Sequence, residues 1–419
     1  MNGHYATRML NEDGSWKNLT SIKNSSADIS PTAGQMPRLL GLALASKLYR
    51  TSPELSARMQ GFTSNGNEVA FGTIGDASTS EGLFFETINA AGVLQVPMAV
   101  SVWDDGYGIS VPKKYQTTKA SISEALRGFE RTADKDGFLI LTGNGWDYPG
   151  LVEMYEKGIA VCREQHVPVL FHIQELTQPQ GHSTSGSHER YKSKERLKWE
   201  EEHDCIRKMR EWILQSAIAL PAELDEIESE ARKAANEGKR KAWDAFRKDI
   251  QEEVNAAVNA IDTLANASPN KVFITAIKDE LAGRADCERK DIATAVKSAL
   301  RYARGENSAA RTSLINWLVK WDQLNIDRYD SHLMSQSAQN AMQVTPVPPV
   351  YLSDAPMVDG REVLLANFDT LFTKHPELVS FGEDVGGIGR LHDFFCRLAP
   401  GVVAAVEVDH RPVRTPHHT

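Results

Sequence analysis

Acidic residues follow two predicted strands at points where their side chains could hold a cation. Gly75, Asp76 and Ala77 come directly after one apolar run, and Asp104 and Asp105 come after the next. Twenty-six residues separate Ala77 from Asp104, which leaves room for one helix and one strand. Because open α/β sheets bind ligands where the carboxyl ends of neighbouring parallel strands meet, we expect both segments to face a common point. Two carboxylates and a backbone carbonyl suit Mg²⁺, whose remaining ligands are commonly phosphate oxygens, so the spacing indicates a diphosphate site.

The elements that would position these acids are strands and helices that alternate up to about residue 175. Short runs of β-branched and large apolar residues predict strands at 69–74, 98–102, 138–142 and 167–173. Apolar stripes at helical spacing predict helices at 36–49 and 82–91 that pack on the sheet. The pattern therefore predicts an α/β fold with a mostly parallel sheet flanked by helices.

Composition changes along the chain suggest a division into five segments. Residues 1–192 are expected to form the α/β domain, and 193–343, rich in Glu, Lys, Arg and Ala, a long helical extension. The charge runs of this extension are typical of a solvated helix face. A Pro-rich linker is expected at 344–358, the start of a second α/β domain at 359–390, and an atypical tail at 391–419.

Several classes of protein are excluded by composition. The 419 residues have a net charge of −9, and the Lys and Arg residues are interleaved with acids, which argues against nucleic acid as a partner. The four cysteines are far apart and lack metal-ligand spacing, as expected in a reducing cytoplasm. No apolar run approaches the roughly 20 residues that span a bilayer, and the amino terminus lacks the apolar segment of a signal sequence. We therefore expect a protein of the cytoplasm without a membrane partner.

The two acidic segments together resemble the signature of thiamine diphosphate enzymes, in which Gly-Asp-Gly is followed, one helix and one strand later, by Asn-Asn. The resemblance extends into the flanking residues, which make it specific: Ser80, Glu81, Gly82, Tyr107, Gly108, Ile109 and Ser110. It implies that Asp76, Asp105 and the carbonyl of Tyr107 hold Mg²⁺. It also implies that Gly75 and Ala77 shape the loop around the diphosphate of thiamine diphosphate.

The sequence departs from that signature in two places. Ala77 stands where the family has glycine, and Asp104 with Asp105 stands where it has two asparagines. Aspartate and asparagine both offer an oxygen to Mg²⁺, but aspartate adds negative charge beside a diphosphate. We expect this charge to strengthen the dependence of cofactor binding on Mg²⁺.

A third segment points to one group of thiamine enzymes. Residues 181–186, Gly-His-Ser-Thr-Ser-Gly, resemble the phosphorylation-loop motif of the branched-chain 2-oxo acid and pyruvate dehydrogenases. The resemblance implies that His182, with Ser183 beside it, is catalytic in decarboxylation and acyl transfer to lipoyl groups. Upstream, Gln35 and Pro37 before a helix resemble the loop that lies near the thiazolium ring in the same family.

The end of the chain resembles the beginning of this family's second subunit type, so both subunit types are expected in one polypeptide. The similar segments are 361–369, a predicted helix, and 378–386, a predicted strand with a Gly-Glu-Asp turn. In the family the second subunit type supplies a glutamate that protonates the aminopyrimidine ring, and the sequence offers no counterpart. Glu383 could substitute for it, but a turn residue is the better interpretation. We expect the chain to be truncated at both ends.

The resemblance, which covers about residues 20 to 390, implies a 2-oxo acid dehydrogenase of the lipoamide-acceptor, acyl-transferring type (EC 1.2.4.-). Its substrate would be a branched-chain 2-oxo acid, with pyruvate next. Its cofactors would be thiamine diphosphate and Mg²⁺. Its partners would be the lipoyl domain of an acyltransferase core and further copies of the chain. The alternatives are a transketolase-like enzyme, which lacks the His-Ser-Thr-Ser loop, and an inactive cofactor-binding or assembly fragment.

Overall fold

The computed structural model describes residues 6–27, 29–178, 187–330, 337–338, 340–375 and 377–380. The described parts of 1–216 and 337–380 form one compact unit, and those of 217–330 form a second. Some predicted features lie outside the described residues, namely His182, Ser183, Glu383 and the 391–419 tail.

A parallel sheet forms the centre of the first unit. The described strands of this unit are β1 (Ala70–Gly75), β2 (Met98–Trp103), β3 (Tyr107–Gly108), β4 (Val111–Pro112), β5 (Leu139–Asn144) and β6 (Val169–Gln174). Four of these strands form the sheet in the order β1, β2, β6 and β5, each paired in parallel with its neighbour. The short β3 and β4 pair with each other in an antiparallel hairpin. The predicted α/β fold with a parallel sheet is therefore confirmed.

Helices cover both faces of this sheet. Those of the first unit are α1 (Met36–Thr51), α2 (Pro53–Arg58), α3 (Gly82–Leu94), α4 (Ile122–Ala125), α5 (Tyr148–Gln165), α6 (Lys194–Glu202), α7 (Cys205–Gln215) and α12 (Gly360–Lys374). Leu44 of α1 and Phe84 of α3 join the core on one face, whereas Cys162 of α5 joins the core on the other. The helices predicted at 36–49 and 82–91 are α1 and α3.

The alternation of side chains along β2 explains how one strand serves both cores. Met98, Val100 and Val102 point into the core beneath α1 and α3, and Ala99 points into the core beneath α5. All of these side chains are buried, as expected for a central strand whose two faces are both covered. The sheet is therefore covered on both faces along β2, and its carboxyl edge presents Asp76 and Asp104.

The second unit consists of helices, as the composition of the predicted extension indicated. Its described helices are α8 (Pro221–Ala267), α9 (Lys271–Gly283), α10 (Arg289–Tyr302) and α11 (Ala309–Tyr329). Aliphatic residues from all four helices share one core, and Glu253 of α8 links its neighbours by accepting hydrogen bonds from Arg289 and Trp321. No helix in the described part of the chain is long and apolar enough to cross a membrane.

The compact units do not coincide with the predicted segments. The helical unit begins at residue 217, whereas the helical extension was predicted from 193, so α6 and α7 belong with the sheet. Glu200 of α6 is buried there, which a solvated extension would not require. The five-segment division, with its second domain at 359–390, stays a prediction, of which α12 is the described part.

Candidate functional site

Two neighbouring strand ends form the centre of the candidate site. Gly75, the last residue of β1, lies opposite Trp103, the last residue of β2. The backbone N–H of Asp76 donates to the carbonyl of Trp103 at 3.1 Å, so Asp76 and Asp104 leave the sheet side by side. The two acidic segments therefore begin at adjacent points of the sheet's carboxyl edge.

Asp76 is buried without a partner for one of its carboxylate oxygens. The residue is 6% exposed, and no described group hydrogen-bonds to its Oδ2. Burial, together with the nearby Asp104 and Asp105, raises the pKa of Asp76 to about 7. A buried, unpartnered carboxylate is costly unless a proton or a cation joins it. This oxygen fits a divalent cation.

Both carboxylate oxygens of Asp104 have hydrogen-bonding partners. Its Oδ2 accepts from Lys113 Nζ at 2.7 Å and lies 3.0 Å from Nε2 of the fully buried His172, while its Oδ1 accepts from the N–H of Gly106 at 2.8 Å. Burial acts to raise the pKa of Asp104, but the hydrogen bonds from His172 and Lys113 prevail and lower it. Asp104 therefore holds the following turn in place, and Lys113 offsets its charge.

The network behind Asp104 continues through the core. His172 Nδ1 lies 2.8 Å from Ser123 Oγ and 3.1 Å from Gln174 Nε2, both of which can donate to it. A proton on Nε2 would be donated to Asp104, and Nδ1 could then accept from one of these two donors, a tautomer assigned from the hydrogen-bond network. This cluster was not predicted from the sequence, although His172, a polar residue within the otherwise apolar run 167–173, was a signal.

Asp105 lies beside the hairpin that follows. Its Oδ1 accepts from the N–H of Tyr107 at 3.1 Å. Burial raises the pKa of Asp105, although the hydrogen bond from Tyr107 and the charge of Lys192 oppose that shift. Asp76 and Asp105 thus both resist ionisation in the absence of a cation.

Ala77 and Gly108 bring the two loops into contact. A Cβ added at Gly108 would lie 2.8 Å from the Cβ of Ala77 and 2.5 Å from the Gln116 side chain. Gly108 therefore leaves the space that Ala77 occupies, which explains how this chain accommodates Ala77. Gly106 (φ 85°) and Ile109 (φ 59°) flank β3 with left-handed conformations, the second of which is strained for a β-branched residue.

The other predicted residues support the loops or lie outside the described part. Ser80 Oγ donates to the carbonyl of Gln116 at 3.1 Å, and Glu81 is the exposed residue preceding α3. The Ser80 bond ties the first loop to the segment that follows the hairpin. Among the described residues, no group of three or more His, Cys, Asp and Glu side chains could hold a metal, so Mg²⁺ would depend on carbonyl and phosphate oxygens as well. His182 and Ser183 are outside the described residues.

A buried ion-pair cluster flanks the hairpin, and it was not predicted from the sequence. Glu200 accepts from Lys192 Nζ at 2.8 and 2.9 Å and from Arg196 Nε at 2.8 Å. Arg196 Nη2 donates to the carbonyl of Asp105 at 3.4 Å, and Lys192 Nζ lies 5.0 Å from the centre of the Tyr107 ring. The cluster thereby connects α6 to the second acidic segment. A Lys and a Glu eight residues apart give no sequence signal that they are buried together.

The sequences of known proteins identify the family. Residues 14–251, more than half of the 419-residue chain, match the family described as "Dehydrogenase E1 component". The chain belongs to this family. The motif-based resemblance to the thiamine-diphosphate-dependent first component of 2-oxo acid dehydrogenases, an oxidoreductase group, is therefore confirmed.

Individual relatives of this dehydrogenase E1 chain carry the name of one subunit. The chain is 24% identical over 203 residues to the pyruvate dehydrogenase E1 component subunit alpha of Rickettsia bellii, covering 48% of this chain and 55% of that one. The mitochondrial counterpart from Solanum tuberosum is 24% identical over 223 residues, 52% and 49% of the two chains. The pyruvate dehydrogenase E1 component subunit alpha of Acholeplasma laidlawii is 34% identical over 110 residues, 25% of this chain and 26% of that one. The chain thus spans about half the length of most curated relatives it matches.

The pair of Asp104 and Lys113 can be tested for its expected structural role. Asp104→Asn should destabilise the fold by about 1–3 kcal/mol, since it leaves a partly buried ammonium without its counter-charge. In urea unfolding, the double variant Asp104→Asn/Lys113→Met should lose less unfolding free energy than the two single variants lose together. Lys114→Met, at the exposed neighbouring lysine, should have almost no effect. If the double variant lost as much unfolding free energy as the two single variants together, the pairing of Asp104 with Lys113 would be contradicted.

Proposed function

We propose that the sheet edge at Asp76 and Asp105 binds thiamine diphosphate through Mg²⁺. The observation that carries the proposal is the buried Oδ2 of Asp76, which has no hydrogen-bond partner among the described residues. Asp105 and the Tyr107 carbonyl would supply the other protein oxygens, and hard oxygen ligands are those that Mg²⁺ prefers. Gly75 and Ala77 would line the diphosphate loop.

For the complete protein we propose oxidative decarboxylation of a 2-oxo acid with acyl transfer to a lipoyl domain. When bound, thiamine diphosphate supplies the electron sink for decarboxylation. The residues of this chain would hold the metal at Asp76 and Asp105, fix the hairpin through Asp104, and offer His182, beside Ser183, for proton transfer. The family match favours this dehydrogenase over the transketolase-like alternative.

Two substrate classes are part of the proposal. The Gly-His-Ser-Thr-Ser-Gly segment at 181–186 favours branched-chain 2-oxo acids, whereas the relatives' printed names favour pyruvate. We take the branched-chain acids as the primary candidate. Comparing kcat/KM for 2-oxoisovalerate and pyruvate with an artificial electron acceptor decides between them, and a higher value for pyruvate would reverse the assignment.

The proposed setting of the enzyme follows from its family and composition. A lipoyl domain of an acyltransferase core is the proposed acyl acceptor, and further copies of the chain are the proposed partners in assembly. The proposed location is the cytoplasm, because the cysteines are widely spaced and Cys162, Cys205 and Cys287 are free thiols. No partner of nucleic acid type is proposed for a chain with a net charge of −9.

Calorimetric titration of thiamine diphosphate into the full chain tests the site. We expect saturable binding in the presence of Mg²⁺ and at least about tenfold weaker binding after chelation, since the diphosphate would then face uncompensated carboxylates. Binding that is unaffected by chelation would contradict the metal site. No binding by a folded chain would favour the inactive-fragment alternative.

A further inference from the structure

The first half of α8 exposes an apolar stripe that the described residues leave uncovered. No side chain from 221 to 249 is buried, whereas Ile250, Val254 and Ala257 of the same helix enter the core of the second unit. Helices in water depend on packing of an apolar face for most of their stability. A half-helix of this length that contacts no core indicates a partner.

The stripe is continuous and consists largely of small residues. At 3.6 residues per turn its members lie within roughly a third of the helix circumference. They are Leu224, Ile227, Ala231, Ala234, Ala235, Gly238, Ala242, Ala245 and Phe246. Ile227 is 59% exposed and Phe246 is 48% exposed. Alanine and glycine along the middle of the stripe would allow a second helix to approach closely.

The charges of this half-helix are strongly segregated. Residues 221–231 contain five acids and no base, and residues 232–248 contain seven bases and two acids. The net charges of the two stretches are therefore −5 and +5. A helix with this distribution is complementary to itself in the antiparallel direction and repels itself in the parallel direction.

We propose that this stripe is the seam of an antiparallel pair formed with α8 of a second copy of this chain. With the two-fold axis between Ala234 and Ala235, the apolar positions match: Leu224 faces the partner's Ala245, and Ile227 faces the partner's Ala242. Ala231 likewise faces the partner's Gly238. The same patch is used on both copies, as a closed two-fold interface requires.

The same register brings opposite charges together beside the seam. Glu230 lies near the partner's Lys241 on one flank, and Glu228 lies near the partner's Lys239 on the other. A second copy of this chain is the occupant because both the apolar match and the charge match arise from one sequence. A helix from a different protein would need to reproduce both patterns.

Sedimentation equilibrium of the full chain tests the pair, with a matched control on the same helix. Ala234→Asp places two carboxylates next to the two-fold axis and should weaken self-association at least about tenfold. Asn236→Asp adds the same charge on the polar face and should leave association unchanged. Both positions are exposed, so circular dichroism should show a fold as stable as that of the unmodified chain. Equal association of all three chains, or none in the unmodified chain, would overturn the proposal.

Charge exchange tests the direction of the pair independently. Lys239→Glu/Lys241→Glu should weaken association, and adding Glu228→Lys/Glu230→Lys should restore it, because an antiparallel pair then regains opposite charges. Failure of the fourfold variant to associate would contradict the antiparallel register. Association that appears only when another protein is added would assign the stripe to that protein instead.

Discussion

Asparagine at position 76 is expected to stabilise the cation-free chain at pH 8 and to abolish Mg²⁺-dependent binding of thiamine diphosphate. The pKa of Asp76 is raised from 3.8 to about 7 by burial and by Asp104 and Asp105, so at pH 8 the folded chain carries a buried carboxylate without a partner. Asparagine removes that charge. We expect the free energy of unfolding to rise by an amount on the order of 2 kcal/mol.

The sign of this effect gives it a distinctive pH dependence. The folded chain binds a proton at Asp76 more tightly than the unfolded chain does, so protonation contributes stability below pH 3.8 that is lost as the pH rises through about 7. The gain in unfolding free energy from Asp76→Asn should therefore be smaller at pH 5 than at pH 8. Urea unfolding at both pH values with chelator measures it.

Cation binding provides the second half of the same test. Mg²⁺ with thiamine diphosphate should stabilise the unmodified chain and leave Asp76→Asn unchanged, because a neutral amide is a poorer ligand at this site. Asp136→Asn, an exposed residue of the same unit, is the control and should respond as the unmodified chain does. A variant that still binds the cofactor with Mg²⁺ would contradict the role assigned to Asp76.

Removing the carboxylate of Glu200 should lower the free energy of unfolding more than any other single substitution proposed for this chain. Lys192 has a fully buried side chain, and its ammonium is held by both oxygens of Glu200. Glu200→Ala would leave that charge buried and unpaired, which typically costs about 3–5 kcal/mol. Urea unfolding of Glu200→Ala measures the loss.

The neighbouring Glu201 is the matched control. It lies on the same helix but is exposed, so Glu201→Ala should change the unfolding free energy by less than about 0.5 kcal/mol. Because Arg196 also bonds to Glu200 and to the Asp105 carbonyl, Glu200→Ala should weaken thiamine diphosphate binding as well. Equal unfolding midpoints for the two variants would show that the buried pair contributes nothing.

Local patterns were sufficient to predict most of the sheet and its helices. The apolar run that became β2 was recognisable because a central strand is buried on both faces, and α1 was recognisable from its three- and four-residue apolar spacing. The predicted division at residue 193 placed α6 with the helical extension, because the many charged residues of α6 are typical of a solvent-exposed helix. The burial of Glu200 depends on Lys192 and Arg196 and could not be read from composition.

The sequence by itself determined which acids lie at the sheet edge, since a strand's length and its following turn are local properties. Only the tertiary structure decided what each acid can do. Asp104 is paired because Lys113 and His172, nine and 68 residues away along the chain, reach the same carboxylate. Asp76 has no such partner for its Oδ2 among the described residues. The charge available to a cation depends on contacts between distant segments, and these are formed only when the strands assemble.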